Sequence, residues 1–356
     1  MDWFAQQLLE WFDVNGRKDL PWQTDPSAYR VWVSEVMLQQ TQVATVIPYY
    51  QRFMTRFPTV GALATADLDE VLHHWSGLGY YARGRNLHKT AKLVAAQHNG
   101  VFPTDVDVLQ SLPGIGRSTA GAIGAISANL RAPILDGNVK RVLARFHGVG
   151  GYPGATATAN VLWQHADEHT PSIRVADYTQ AIMDLGASIC GRKAQCEACP
   201  LAIHCLALAT DCVADYPGKK PKKAKPTRHV RMFLIQNPAG ACLLEQRPEK
   251  GIWGGLWSPP ERPTDHTHTD MLRELGEPAS AVLQPYAGPL LNHTFTHFHL
   301  QIEPVHIVLD HSPTLVTDGK DWLWYGKGHN SPVGLSAPAL KLIQGLNNEN
   351  RTLQEV

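Results

Sequence analysis

The sequence has no long apolar run and very little cysteine. Its 356 residues contain no apolar segment near the ~20 residues that a membrane-spanning helix needs, and no apolar signal segment follows Met1. With 44% hydrophobic and 18% charged residues, the composition is typical of a cytoplasmic globular protein, and we expect no membrane partner. The six cysteines are therefore not expected to form disulfides.

The chain also lacks a net charge, since 32 basic residues balance 32 acidic ones. A neutral chain does not by itself indicate a nucleic-acid partner. The charge is nevertheless uneven: residues 1–228 hold 23 basic and 19 acidic residues, and the remainder holds 9 and 13. Local basic patches therefore matter more than the total.

The length predicts two domains, because a single core seldom grows past roughly 250 to 300 residues. Segment 214–229 is rich in proline and lysine and has no apolar periodicity, which predicts a basic linker. It divides the chain into a first domain over 1–213 and a second over 230–346, with a C-terminal tail at 347–356.

Apolar periodicity predicts a different fold class for each domain. Before the linker the spacing is helical, as in "DGNVKRVLARFHGV", where Asp136 takes the N-cap position of a helix. After the linker, short β-type segments dominate, with candidate helices at 268–276 and 337–346. We therefore expect an all-α domain followed by an α+β domain.

Four of the six cysteines lie in one short run, C-x5-C-x2-C-x5-C, formed by Cys190, Cys196, Cys199 and Cys205. Such density in a reducing compartment predicts a metal site. Tetrahedral zinc often uses two C-x2-C pairs, whereas this run has one short pair and two longer gaps, which favours a 4Fe-4S cluster. Four unrelated buried thiols are the alternative.

The segment "LQSLPGIGRSTAGAI", residues 109–123, predicts two helices joined by a tight turn. Backbone N–H groups of the turn and of the second helix would face solvent, where they suit a DNA phosphate. A plain helix connection is the alternative. The residues expected at this contact are Leu112, Pro113, Gly114, Gly116 and Arg117.

Two carboxylates stand out among the helices. Glu35 lies inside the apolar segment "VWVSEVMLQQTQV", where a charge is costly unless it is paired or functional. Asp136, with Asn138 close by, can be a simple helix cap. One carboxyl with a raised pKa and one kept ionised are also the groups that cleave a glycosidic bond.

Several blocks resemble a known family. "LPGIGRSTAG" followed by "PILDGNV" is similar to the helix-hairpin-helix with Gly/Pro-rich loop and Asp of the DNA base-excision glycosylases. "SEVMLQQTQV", "GLGYYARGRNL", "MDLGA" and the cysteine run resemble the adenine DNA glycosylases of the MutY family across residues 18–205. "GIWGGLW" and "NHTFTHFHL" extend the likeness into a second, Nudix-like domain.

The resemblance implies an enzyme that flips adenine, mispaired with 8-oxoguanine or guanine, out of double-stranded DNA and hydrolyses its N-glycosidic bond. Glu35 would protonate N7 of adenine and assist water attack. Asp136 would stabilise the sugar cation, by charge or by a transient covalent bond, and Asn138 would hold Asp136 or the water. Ser118 stands where lyase-competent relatives have a lysine, which implies hydrolysis without strand cleavage.

Further roles follow from the same resemblance. Trp22, Gln23, Gln180 and Ser118 would line the adenine pocket, although some relatives have a carboxylate at the position of Gln180. Gln40 and Tyr80 would wedge into the base stack. Without the resemblance, Tyr80 is read as a core residue and Gln40 as a helix-surface amide.

The second domain resembles a Nudix hydrolase without the glutamate cluster that holds Mg²⁺. Phe295, Thr296 and His297 align with the family's Phe-Ser-His turn, which recognises 8-oxoguanine. Read from residues alone, this stretch is either a His-rich strand that binds a metal or a polar β face. The resemblance also implies one 4Fe-4S cluster, although the family has six residues in the first cysteine gap and this chain has five.

Two other functions compete with this one. A bifunctional endonuclease III-like glycosylase/lyase shares the fold, but Ser118 argues against it. A non-catalytic iron-sulfur protein that binds DNA or senses redox state would not need both Glu35 and Asp136. We expect a bacterial monomer associated with the nucleoid.

Overall fold

The computed structural model describes residues 1–221, 224–282, 285–313, 322–326 and 332–354, the last eight by their backbone alone. Lys222 and Lys223 of the predicted linker, and the last two residues of the predicted tail, lie outside the described residues. In the described part of the chain, no helix is both long and apolar enough to cross a membrane.

The chain forms two compact units. The first comprises Met1–Thr65 and Asn86–Lys222, and the second comprises Ala66–Arg85 and Lys223–Val356. Helices of the first half are α1 (Trp3–Asn15), α2 (Ala28–Leu38), α3 (Val43–Arg56), α4 (Val60–Thr65), α5 (Leu68–Trp75), α6 (Ala82–Gln97), α7 (Val106–Ser111), α8 (Arg117–Ala128), α9 (Gly137–Phe146), α10 (Thr156–His169), α11 (Val175–Ser188) and α12 (Leu206–Ala209).

The predicted helices of the first unit are confirmed, and their caps explain where they begin. The Ser27 side chain accepts a hydrogen bond from the N–H of Arg30 and starts α2. Asp136 caps α9 as the sequence predicts. Both helices bury their apolar faces, which include Trp32 of α2 and Val142 of α9.

The second unit contains α5 and, in the described residues from 224 onward, eight strands and two further α-helices. The strands are β1 (Thr227–Gln236), β2 (Cys242–Gln246), β3 (Trp257–Ser258), β4 (Glu261–Arg262), β5 (Tyr286–Ala287), β6 (Leu291–Thr294), β7 (His299–Val308) and β8 (Trp322–Tyr325). The helices are α13 (His268–Glu274) and α14 (Ala337–Gln354). This confirms the expected α+β class.

These strands make one mixed sheet in the order β3-β2-β1-β7-β5, with β4 on β1, β6 on β7 and β8 on β2. β1 and β7 run parallel in unbroken register, from Thr227 opposite His299 onward. Successive residues of β1 point to opposite faces. Phe233 accordingly joins the core cluster that contains Met271 of α13, and Leu234 joins the one that contains Ile343 of α14.

The boundaries of the units differ from the predicted domains. Residues 66–85, expected in the first domain, pack in the second unit. Two hydrogen bonds explain this: the indole N–H of Trp257 donates to Asp69 at 3.1 Å, and the Tyr81 hydroxyl donates to the Leu335 carbonyl at 2.8 Å. In addition, β1 begins inside the predicted linker, and α14 continues into the predicted tail.

Candidate active site

Glu35 and Asp136 lie close enough to influence one another. Glu35 sits on α2 between the buried residues Ser34 and Val36. Burial, with a further contribution from the charge of Asp136, raises the pKa of Glu35 from 4.5 to about 8. Glu35 is therefore protonated at neutral pH and is able to donate a proton.

Asp136 accepts two hydrogen bonds at the start of α9. Its Oδ1 accepts from the N–H of Val139 at 2.8 Å, and its Oδ2 accepts from Nδ2 of Asn138 at 3.2 Å. Burial raises the pKa of Asp136, while these hydrogen bonds and the charge of Arg141 lower it. Burial is the larger effect, so the pKa of Asp136 lies above its usual value, while its two hydrogen bonds favour the charged form.

Ser118 connects α8 to the segment that immediately precedes Asp136. Its hydroxyl oxygen accepts a hydrogen bond at 2.9 Å from the N–H of Leu135, the residue before Asp136. Gln180, on α11, is partly buried, and α11 packs against both α8 and α9. The helices that carry the predicted acid, its partners and two pocket residues therefore pack together in the first unit.

Arg141 is a residue that the sequence analysis missed. Its Nη2 donates to Oδ1 of Asn138 at 2.9 Å, and its Nε donates to the carbonyl of Cys190 at 2.7 Å. A chain of hydrogen bonds thus runs from the cysteine loop through Asn138 to Asp136. The only sequence signal was the i, i+3 spacing of Asn138 and Arg141 on one helix.

The helix-hairpin-helix forms between α7 and α8 as predicted. Gly114 has φ 80, and a Cβ there would lie 2.8 Å from Cβ of Asn86, so both its conformation and its surroundings require glycine. Gly116 begins α8 without a side-chain cap, which leaves the amide groups of that helix end available to an anion. Leu112 of the turn is buried, Pro113 is partly buried, and Gly114, Gly116 and Arg117 are exposed.

Two of the predicted pocket residues are already engaged. Trp22 is 5% exposed and meets the ring of Tyr50 edge-on at 5.5 Å. The Gln23 amide donates to the carbonyl of Arg17 at 2.8 Å and accepts from the N–H of Leu20 at 3.1 Å. Gln23 therefore shapes the loop before α2 through local hydrogen bonds.

Both predicted wedge residues have an uncommon backbone. Gln40 has φ 59 and Tyr80 has φ 49, and such values in non-glycine residues concentrate at functional sites. Tyr80 is 47% exposed, which excludes the reading as a core residue. Gln40 lies beyond the end of α2 and is exposed, so it is not a helix-surface amide.

All four cysteines of the run line a single cavity between α9, the end of α11 and the loop that follows it. Nη1 of Arg145 lies 3.3 Å from Sγ of Cys190 and donates to the carbonyl of Gly191 at 2.7 Å. Within the described residues, no three His, Cys, Asp or Glu side chains are grouped to hold a single metal ion. The four thiols therefore share one cavity, and thiolates are the ligands of both structural zinc and iron–sulfur clusters.

The predicted recognition turn connects β6 to β7 in the second unit. The N–H of Phe295 donates to the carbonyl of Phe298 at 2.9 Å and closes the turn. Thr296 and His297, between them, are exposed. The Lys225 ammonium, which the sequence analysis placed in the linker, donates to the carbonyl of Phe295 at 2.9 Å.

Three glutamates of the second unit are paired with arginines. Arg262 pairs with Glu245 at 2.8 Å and with Glu274 at 2.7 Å. Arg247 pairs with Glu261 at 2.7 Å. A guanidinium group therefore bridges two of these carboxylates.

Comparison with known proteins agrees with this architecture. Residues 33–167 match the HhH-GPD superfamily base excision DNA repair protein family, and residues 231–345 match the NUDIX domain family. A solved thermostable thymine-DNA glycosylase is similar with 25% identity and a TM-score of 0.53, over 58% of this chain and 95% of that one. An endonuclease III–DNA complex shares the fold at 21% identity and a TM-score of 0.50, over 59% and 95%.

Curated relatives cover almost the whole chain. The adenine DNA glycosylase of Buchnera aphidicola subsp. Acyrthosiphon pisum is 37% identical over 342 residues, 96% of this chain and 97% of the relative. The human adenine DNA glycosylase is 34% identical over 399 residues, 93% of this chain and 72% of the relative. With both carboxylates, the hairpin and the two matched domains in place, the chain belongs to the adenine DNA glycosylases, the DNA N-glycosylases of base excision repair.

Proposed function

We propose that this glycosylase removes adenine paired with 8-oxoguanine, and also with guanine, in double-stranded DNA, and that it does so without cutting the strand. The observation that carries the proposal is the carboxyl pair. Glu35 has a pKa of about 8 and is protonated at neutral pH, beside an Asp136 whose charged form is favoured by hydrogen bonds from Val139 and Asn138. This asymmetry is what cleavage through an oxocarbenium-like transition state requires.

The reaction begins when the flipped adenine enters the pocket lined by Trp22, Gln180 and Ser118. Glu35 transfers its proton to N7, and the bond between C1′ and N9 breaks, with its electron pair leaving on the base. The sugar cation that forms is stabilised by the negative charge of Asp136. Water then adds to C1′ and gives its proton to the Glu35 carboxylate, which restores the acid.

Ser118 supports the absence of strand cleavage. A lyase needs an amine that attacks C1′ and forms a Schiff base. The Ser118 hydroxyl cannot form one, and its oxygen already accepts the hydrogen bond from Leu135. The product is therefore an abasic site in an intact strand.

The cysteine cavity supports one 4Fe-4S cluster, held by Cys190, Cys196, Cys199 and Cys205. When bound, the cluster cross-links the loop and does no chemistry on the sugar, since two carboxylates suffice for hydrolysis. Arg145 contributes a positive charge beside Cys190 Sγ. Arg141 hydrogen-bonds both to the carbonyl of Cys190 and to Asn138, so a shift of the loop would also move Asn138.

The exposed turn of Phe295, Thr296 and His297 supports recognition of the base opposite adenine. Thr296 provides a hydroxyl and His297 an imidazole, both able to hydrogen-bond to an oxidised guanine. The exposed hairpin with Arg117 supports binding to the DNA backbone. Gln40 and Tyr80 support filling of the space that the flipped base leaves.

A duplex panel tests this function. The protein is incubated with duplexes that contain oxoG:A, G:A or G:C, and free adenine is measured, with borohydride trapping on the same samples. We expect adenine from the first two, fastest from oxoG:A, and no trapped covalent adduct.

Glu35→Gln should slow release by about 10²- to 10⁴-fold and leave duplex affinity unchanged, because it removes only the proton donor.

The matched control is Glu10→Gln, an exposed glutamate of α1 that makes local side-chain contacts only. It should react at the wild-type rate. No adenine from oxoG:A would reject the proposal. A borohydride-trapped adduct, tested also on a thymine-glycol duplex, would favour the bifunctional glycosylase/lyase instead.

A further inference from the structure

An aromatic cluster supports the recognition turn of the second unit from beneath. Phe298 is completely buried, and the ring of Phe295 stacks on it with centroids 4.5 Å apart. Trp253 contacts the same Phe295 ring at 5.1 Å. Thr296 and His297 project into solvent between the two phenylalanine anchors. The turn therefore presents two polar side chains from an apolar base.

Trp253 occupies this place with a left-handed backbone. Its φ is 56, which is costly for a bulky residue and persists only where the surroundings enforce it. Gly251 and Gly255, on either side, also have positive φ. The loop is closed by the N–H of Leu256, which donates to the carbonyl of Trp253 at 3.0 Å, and by the N–H of Arg247, which donates to the carbonyl of Leu256 at 2.9 Å.

Two arginines contact the loop that contains Trp253. Nη1 of Arg85 donates to the carbonyl of Gly254 at 2.6 Å. The Arg247 guanidinium lies 5.7 Å from the ring centre of Trp253 and pairs with Glu261. The indole is thus fixed against the turn, although Trp253 is outside the turn and belongs to no strand or helix.

We propose that Trp253 is a positioning residue for recognition of the base opposite adenine. Its ring fixes Phe295, and so it places the Thr296 hydroxyl and the His297 imidazole where an oxidised guanine can meet them. The inference rests on the proposed recognition of 8-oxoguanine by this turn. Polar groups held in place before binding discriminate better than mobile ones, since less ordering is needed when the base arrives.

Single-turnover adenine release from oxoG:A and G:A duplexes tests the proposal. Trp253→Gly removes the ring and keeps a residue that tolerates positive φ. We expect the ratio of the oxoG:A rate to the G:A rate to fall about tenfold, as for loss of an aromatic packing contact. The G:A rate itself should not change. Trp253→Phe, which keeps an aromatic ring, should retain most of the ratio.

The matched control is Trp324→Ala on β8, where the indole packs against the core cluster that contains Phe233. It should lower the stability of the second unit and leave the rate ratio at the wild-type value. A wild-type ratio in Trp253→Gly, or an equal fall in Trp324→Ala, would overturn the inference. If the wild-type protein does not distinguish the two duplexes, recognition of 8-oxoguanine itself is wrong, which is a separate result.

Discussion

Glu35 and Asp136 are both carboxylic acids, but their environments differ. Glu35 is set among apolar neighbours on α2, where the charged form is poorly solvated. Asp136 stands at the start of α9, where the N–H of Val139 and the amide of Asn138 stabilise the charged form. The surroundings of each side chain therefore support the proposed roles of Glu35 as the acid and Asp136 as the anion.

The pH dependence of catalysis follows from Glu35. Its pKa is raised to about 8, so the protonated form predominates at neutral pH and is lost as the pH rises through 8. We expect the single-turnover rate on oxoG:A duplexes to be level below that pH and to fall about tenfold per pH unit well above it. The residual rate of Glu35→Gln should not change over the same range. A wild-type rate that increases above pH 8 would mean that Glu35 is not the acid.

At the scale of elements, α9 is the helix on which the site depends. Asp136 caps it, Asn138 and Arg141 lie on its first turns, and Arg145 on its last turn reaches the cysteine loop. One helix therefore carries Asp136, the proposed stabiliser of the sugar cation, at its start and lines the cysteine cavity with Arg145. Its position depends in turn on α11, which packs against it at Gly186.

Gly186→Ala should disturb that contact. A Cβ at Gly186 would lie 2.7 Å from Cβ of Asn138, closer than real Cβ contacts, so α9 and α11 must separate. We expect unfolding free energy to fall by about 1–3 kcal/mol, from overpacking, and adenine release to slow by about ten- to a hundredfold as Asn138 shifts. Urea unfolding and single-turnover kinetics measure the two effects.

A helical glycine with free space provides the control for this variant. A Cβ at Gly61 of α4 would lie 3.9 Å from Thr59 Oγ1, an ordinary contact. Gly61→Ala should leave the rate unchanged and leave stability equal or slightly higher, because alanine favours the helix. Equal behaviour of the two variants would show that the contact between Gly186 and Asn138 does not position the site.

At the scale of the whole molecule, short-range patterns were predictable and long-range contacts were not. Helical spacing and the cap at Asp136 are local, so α9 could be predicted from the sequence. The bond from Arg141 to Cys190 joins residues far apart in the chain, and no periodicity signals it. The packing of residues 66–85 in the second unit was missed for the same reason, since Asp69 meets Trp257 only in the fold.

Removing one cysteine of the loop tests how far the stability of the first unit depends on a cluster. Protein purified without oxygen should be brown and contain about four iron and four sulfide ions per chain. Cys190→Ser should lose the iron, and its unfolding free energy should fall by about 3 kcal/mol, which is the value for opening a cross-linked loop of this length. Such a loss lowers the melting temperature by about 6–12 °C. Adenine release should slow with it, because Arg141 and Arg145 both hydrogen-bond to the carbonyl of Cys190.

Cys212→Ser is the matched control, because Cys212 is a free cysteine outside the run and its thiol donates locally to the carbonyl of Thr210 at 3.1 Å. It should keep the iron, the colour and the rate. The gap between Cys190 and Cys196 has five residues, one fewer than in the family. The iron measurement therefore tests whether this shorter loop still holds a cluster. Colourless protein that contains zinc and still releases adenine would show that the cavity holds a single ion and would refute the cluster. Brown protein that loses its rate with its iron would show that the loop acts on Asp136 through α9.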